Sequence, residues 1–192
     1  MSQSDPVPSG KIILLNGPSS SGKTTLAGRL QAVIPEPFWQ YSPDLFRSAG
    51  VLPWERIGRG EFRWQELRPQ FHEGFQRSLA AFAHAGNHLI VDYIIETQAS
   101  RDRLVELLNG LDVFFVGVHC ALPELERREI ARADRRVGEA RVDFESTHQL
   151  CNYDVEIDST TGAVDEMAQA VLRAWTERRS PSAFDRMRLV RS

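Results

Sequence analysis

A chain of 192 residues is long enough for one domain with a substantial core. Its composition, 42% hydrophobic and 26% charged, is ordinary for a globular protein, and a net charge of −3 offers no basic field for nucleic acid. No apolar stretch approaches the roughly 20 residues that span a bilayer, so neither membrane nor nucleic acid is an expected partner.

Residues 1–10 are polar, with two prolines and no signal-peptide pattern, and read as a flexible leader. Cytoplasmic localisation is the default expectation. It agrees with two cysteines, Cys120 and Cys151, that make neither a disulfide framework nor a zinc-site spacing.

The first strand is expected at Lys11–Leu15, a short apolar run. It leads into Gly17-Pro18-Ser19-Ser20-Ser21-Gly22-Lys23-Thr24, which reads G-x-x-x-x-G-K-[ST], the phosphate-binding loop. A helix is expected at 24–33, so the motif has the strand–loop–helix setting its chemistry needs. The glycines let backbone N–H groups curl around a polyphosphate, and the helix adds its positive N-terminal end. Lys23 is the candidate for the β- and γ-phosphates of a nucleotide triphosphate, and Thr24 for a Mg2+ ion.

The second strand, Phe38–Ser42, precedes Asp44. That carboxylate either sits in the first turn of a short helix, with Ser42 as its cap and Pro43 next, or orients a substrate hydroxyl and accepts its proton. A long helix is expected over 62–85, with Phe71, Phe75, Leu79 and Phe82 on one face, Pro69 starting or kinking it and Gly86 stopping it. Trp54 and Trp64 fall in an Arg- and Gly-rich stretch, 50–68, where an acceptor pocket could be built. The third strand, His88–Asp92, ends on an acid able to hold magnesium beside Thr24.

A helix over 100–108, a strand at Val113–His119 and a helix over 122–133 follow. Six arginines lie between Glu126 and Arg141, and Arg128, Arg132 and Arg135 share one helical face. Such a run is either solvated surface paired with Glu126, Glu129, Asp134 and Glu139, or a lid whose cations neutralise a transferring phosphoryl group. His119 and His148 read as lone structural histidines. A fifth strand is expected at Tyr153–Ile157, a closing helix over 163–175, and a polar tail over 178–192. Strands alternating with helices, three of them nearly continuous apolar runs, give an α/β fold with a parallel sheet and helices on both faces.

These residues together resemble the chloramphenicol phosphotransferase family of small P-loop kinases. The likeness runs from Leu14-Leu15-Asn16-Gly17 through Val33-Ile34-Pro35-Glu36-Pro37 and Val116-Gly117-Val118. It continues through Arg128-Glu129, Ala131-Arg132 and Asp134-Arg135 to His148 and Tyr153-Asp154-Val155-Glu156. The resemblance implies a nucleoside monophosphate kinase-like five-stranded sheet of order 2-3-1-4-5, in one domain over 11–177 with a lid around 126–141. It also implies ATP-dependent phosphorylation of an alcohol, with Asp44 as the base, Arg128, Arg132 and Arg135 on the lid, and 158–162 near the adenine. Tyr93 stands where the family has a second Asp, and residues 46–70 match poorly. The expected function is therefore an O-phosphotransferase acting on a small hydroxylated molecule, a chloramphenicol-type antibiotic being the best single acceptor. A metabolic kinase for a nucleoside, sugar or sugar acid is the alternative. A nucleotide-binding switch is a further one, although the chain lacks an Asn-Lys-x-Asp guanine-reading motif.

Overall fold

A computed structural model describes residues 8–132 and 138–189. Five strands form one parallel sheet: β1 (Lys11–Asn16), β2 (Phe38–Tyr41), β3 (His88–Asp92), β4 (Asp112–His119) and β5 (Val155–Asp158), in the order β2-β3-β1-β4-β5. The sheet order is the expected one. Ile12, Ile13, Leu14 and Leu15 of the central strand are all fully buried. Their side chains alternate, Ile12 and Leu14 joining one core cluster and Ile13 and Leu15 the other. That is why the strand is apolar throughout.

On the Ile13 side pack α1 (Lys23–Val33) and α8 (Val164–Thr176). On the Ile12 side pack α4 (Trp64–His84), α5 (Gln98–Leu107) and α9 (Ala183–Leu189). Short helices α2 (Pro43–Ser48) and α3 (Trp54–Gly58) lie between β2 and α4, and α6 (Leu122–Arg132) and α7 (Glu139–Ser146) between β4 and β5. No helix of the described residues is long and apolar enough to cross a membrane.

Several expectations shift. The 178–192 stretch is not an appendage: Ala183, Phe184 and Met187 of α9 are buried in the core, and Phe184 meets Phe115 edge-on at 5.0 Å. Asp154 ties this helix to the sheet by accepting from the N–H groups of Phe115 at 2.8 Å and Ala183 at 2.6 Å. Three of the four apolar residues in this seven-residue helix are the ones buried. Of the leader, residues 1–7 lie outside those described, while Gly10 is buried and donates to Ala83 O at 2.7 Å. Pro69 sits inside α4, which begins at Trp64. β5 starts at Val155, because Asp154 is engaged with the backbone and Tyr153 turns toward Asn16.

Candidate active site

The strand order brings the candidate residues into a row. β2, β3 and β1 are neighbours, and the chain leaves their carboxyl ends at Asp44, Asp92 and the phosphate loop respectively. In open α/β sheets ligands bind beyond those ends.

The loop is shaped by backbone constraints. A Cβ on Gly17 would stand 2.3 Å from Val118 O of β4, so only glycine lets the loop leave β1 there. Gly22, the N-cap of α1, has φ +87°, and Ser20 also lies in the left-handed region at φ +64°. The curl buries Ser19, Ser20, Ser21 and Lys23. The Lys23 ammonium donates to Pro18 O at 2.8 Å and lies 3.9 Å from Asp92. The Thr24 hydroxyl donates to Asp92 Oδ2 at 2.6 Å. A hydroxyl and a carboxylate side by side are hard oxygen donors of the kind magnesium takes, with phosphate oxygens and waters completing its shell. The buried Ser20 hydroxyl has no hydrogen-bond partner among the described residues.

Arg128 extends from α6 over the loop. Its guanidinium donates to Glu124 at 2.7 Å and to Ser159 O at 2.7 Å, and a Cβ on Gly22 would lie 3.7 Å from it. Arg127 and Arg128 together hold the Glu124 carboxyl down at about 2. Ser159 links the start of the β5–α8 connection back to the loop by donating to Ser21 O at 2.7 Å. The region the resemblance placed near adenine therefore touches the phosphate loop. The side chain of Arg132 and the whole of Arg135 lie outside the described residues. The surface reading of the arginine run holds in part: Arg127 is exposed and paired with Glu124, and Arg141 with Glu126. Glu129 is different. It is buried and accepts from the N–H groups of Gly138 and Ala140, fastening α7 to α6.

Asp44 occupies the first turn of α2, where Ser42 caps the helix by accepting from Leu45 N–H at 3.2 Å and Pro43 follows. The helix-start alternative stated for Asp44 is therefore what the structure shows. Arg47, one turn on, lies 3.4 Å from the Asp44 carboxylate, with its guanidinium over the rings of Trp54 (5.3 Å) and Trp64 (5.8 Å). From there ring contacts continue through Phe71 and His72 to Tyr93, the residue after Asp92. A run of ring contacts therefore leads from beside Asp44 to the buried Tyr93. Burial lowers the His72 imidazole pKa, and the Arg68 cation adds to the effect. Tyr93 is not a stand-in acid: it is buried, its hydroxyl accepts from Gln76 Nε2 at 3.0 Å, and burial raises its pKa.

Sequence reasoning missed a second polar chain. Ile95 N–H donates to Asn16 Oδ1 at 2.9 Å, so Asn16 Nδ2 must donate to Tyr153 OH at 2.8 Å. The tyrosine's one proton then goes to His148 Nδ1, also at 2.8 Å. His119 and His148 are not lone residues: their rings stack at 3.8 Å. Burial, with the charges of His119 and Lys23, pushes His148 down to about 4. A polar Asn16 closing an apolar strand was the available signal. Nothing in the sequence marked Asp143 of α7, whose carboxylate accepts from Ser19 N–H of the loop at 2.9 Å.

Comparison with known proteins agrees with this geometry. The family model described as chloramphenicol phosphotransferase-like protein matches residues 10–176. A chain of Mycobacterium tuberculosis (strain CDC 1551 / Oshkosh), provisionally named an O-phosphotransferase, is 31% identical over 204 residues, covering 95% of this chain and 89% of its own length. Among solved structures, the Mycobacterium tuberculosis APS kinase in complex with AMPPNP and APS superposes with a TM-score of 0.64 at 22% identity, over 88% of this chain and 99% of that one. Shikimate kinase from Acinetobacter baumannii, in complex with shikimate, gives 0.59 at 17% identity, over 88% and 94%. At these identities the two structures share the fold, which is that of the P-loop kinases.

Proposed function

Because this chain belongs to the chloramphenicol phosphotransferase-like family, we propose that it is an ATP- and magnesium-dependent O-phosphotransferase acting on a hydroxyl of a small molecule. The observation that carries this reading is the row of Asp44, Asp92 and the Lys23–Thr24 pair at the ends of three adjacent strands. That order supports reading Asp44 as the base of a site whose phosphate and metal ligands are Lys23, Thr24 and Asp92. In this reading Lys23 and the loop N–H groups hold the donor phosphates, and Thr24 and Asp92 hold magnesium. Bound there, the metal would neutralise charge on the phosphates. Asp44 orients the acceptor hydroxyl and takes its proton. Arg128, with Arg132 and Arg135, balances charge on the transferring group. Phosphoryl transfer passes through a loose transition state, so positioning and charge neutralisation matter more than base strength.

The acceptor would lie against Trp54, Trp64 and Phe71. A chloramphenicol-type alcohol is the first candidate. The second reading is a metabolic kinase for a nucleoside, sugar or sugar acid; the sugar acid is favoured by Arg47, a cation beside Asp44 at 3.4 Å that can meet an acceptor anion. ADP release measured with amphenicols, nucleosides and sugar acids separates these, with mass spectrometry of the products. Acceptor-dependent release with a phosphorylated product is expected. Release stimulated only by a protein partner would overturn the kinase reading.

A further inference from the structure

The phosphate loop already carries an anion. Asp143, on α7, reaches across to accept from the backbone N–H of Ser19, 124 positions earlier in the chain, at 2.9 Å. Ser19 is buried, at 2% exposure. The N–H groups of such a loop are the donors a polyphosphate uses. The Asp143 carboxylate is also close enough to Lys23 to feel its charge, as a bound phosphate would. It is not a casual surface contact, because burial penalises the charged carboxylate and the negative charges of Glu96 and Glu139 add to that penalty.

The rest of α7 is built to hold this position. Glu129 of α6 grips the helix start through Gly138 and Ala140, and Arg141 pairs with Glu126 at 2.6 Å. One turn beyond Asp143 is Thr147, whose N–H bonds Asp143 O; its hydroxyl is fully buried, with no partner among the described residues. The Ser20 hydroxyl, next to the bonded Ser19, is orphaned in the same way. The Asp143 carboxylate thus occupies a loop N–H of the kind that a phosphate uses.

We propose that Asp143 is a competitor for the terminal phosphate of ATP: it latches α7 onto the loop through Ser19 N–H, and the entering phosphate takes that donor and displaces the carboxylate. This rests on the ATP-dependent reading above. No covalent step is involved. A triphosphate supplies the displacing group, and a nucleotide without phosphates at that end leaves the latch in place. Asp143 thereby makes α7 report which nucleotide is bound.

Calorimetric titration of the full chain with the Mg2+ complex of a non-hydrolysable ATP analogue, and separately with AMP, tests this. A hydrogen bond to a charged group is worth about a tenfold change in affinity. Asp143→Ala should therefore bind the ATP analogue roughly tenfold more tightly, with AMP affinity unchanged. Asp143→Asn, which can still accept from Ser19 but has no charge to repel phosphate, should fall between. Thermal melting without nucleotide confirms that both variants fold. If the wild type binds the analogue and Asp143→Ala binds it equally or more weakly, the latch is wrong and the kinase reading stands. If the wild type binds no ATP analogue, that reading fails and takes the latch with it.

Discussion

The Thr24 hydroxyl donates to Asp92 Oδ2 at 2.6 Å, joining the end of the phosphate loop to the end of β3. The bond bridges 68 positions in the chain, and adjacent parallel strands make it possible: Leu15 of β1 pairs with Asp92 in register. If these two oxygens hold magnesium, removing one charge should weaken the metal while leaving the loop intact. Asp92→Asn is expected to lower turnover by at least about a hundredfold and to raise the magnesium concentration needed for half-maximal rate. A rate that responds to magnesium as the wild type does would refute the assignment.

Asp44 makes a separable prediction, because it stands on α2 and is no part of the loop. Asp44→Asn keeps the shape and the helix start but cannot take a proton. Turnover should drop by roughly a hundred- to ten-thousandfold, with the affinity for the ATP analogue unchanged by calorimetry. Near-normal turnover on the true acceptor would remove Asp44 from the mechanism.

His148 predicts how stability depends on pH. Burial above all, then the charges of His119 and Lys23, keep the folded imidazole neutral down to about 4, against the Val118 backbone. The unfolded chain, with an ordinary value of 6.5, takes up its proton first. Stability is therefore present above about 6.5 and is lost as pH falls from there toward about 4. Melting temperature recorded across that window should decline in the wild type. His148→Gln should show a shallower decline, and an equally steep one would mean that other groups carry the effect.

Phe184 tests the docking of α9. It is 5% exposed and packs on Phe115 of the sheet. Phe184→Ala should cost about 3–5 kcal/mol, read from denaturant unfolding followed by tryptophan fluorescence. A loss within the range of a surface substitution would show that the helix is dispensable.

The sequence by itself determined the elements whose physics is local. A run such as His88–Asp92 has to be a strand buried on both faces. The loop from Gly17 to Thr24 needs glycines wherever the backbone curls or passes close to β4. Ser42 and Pro43 write a helix start regardless of what surrounds it. The likeness in Arg128-Glu129 and Tyr153-Asp154 reached further, to the sheet order itself. What only the tertiary structure decided is which distant groups meet. Asp143 on Ser19, Tyr153 between Asn16 and His148, and α9 against Phe115 leave no periodicity in the chain, because each contact depends on how separate elements are stacked over the sheet. A single carboxylate on a short polar helix looks like any other surface acid until α6 and the order of β4 and β5 bring it to the loop. The phosphate loop was therefore legible from its residues, while the groups packed against it became visible only when the chain was folded.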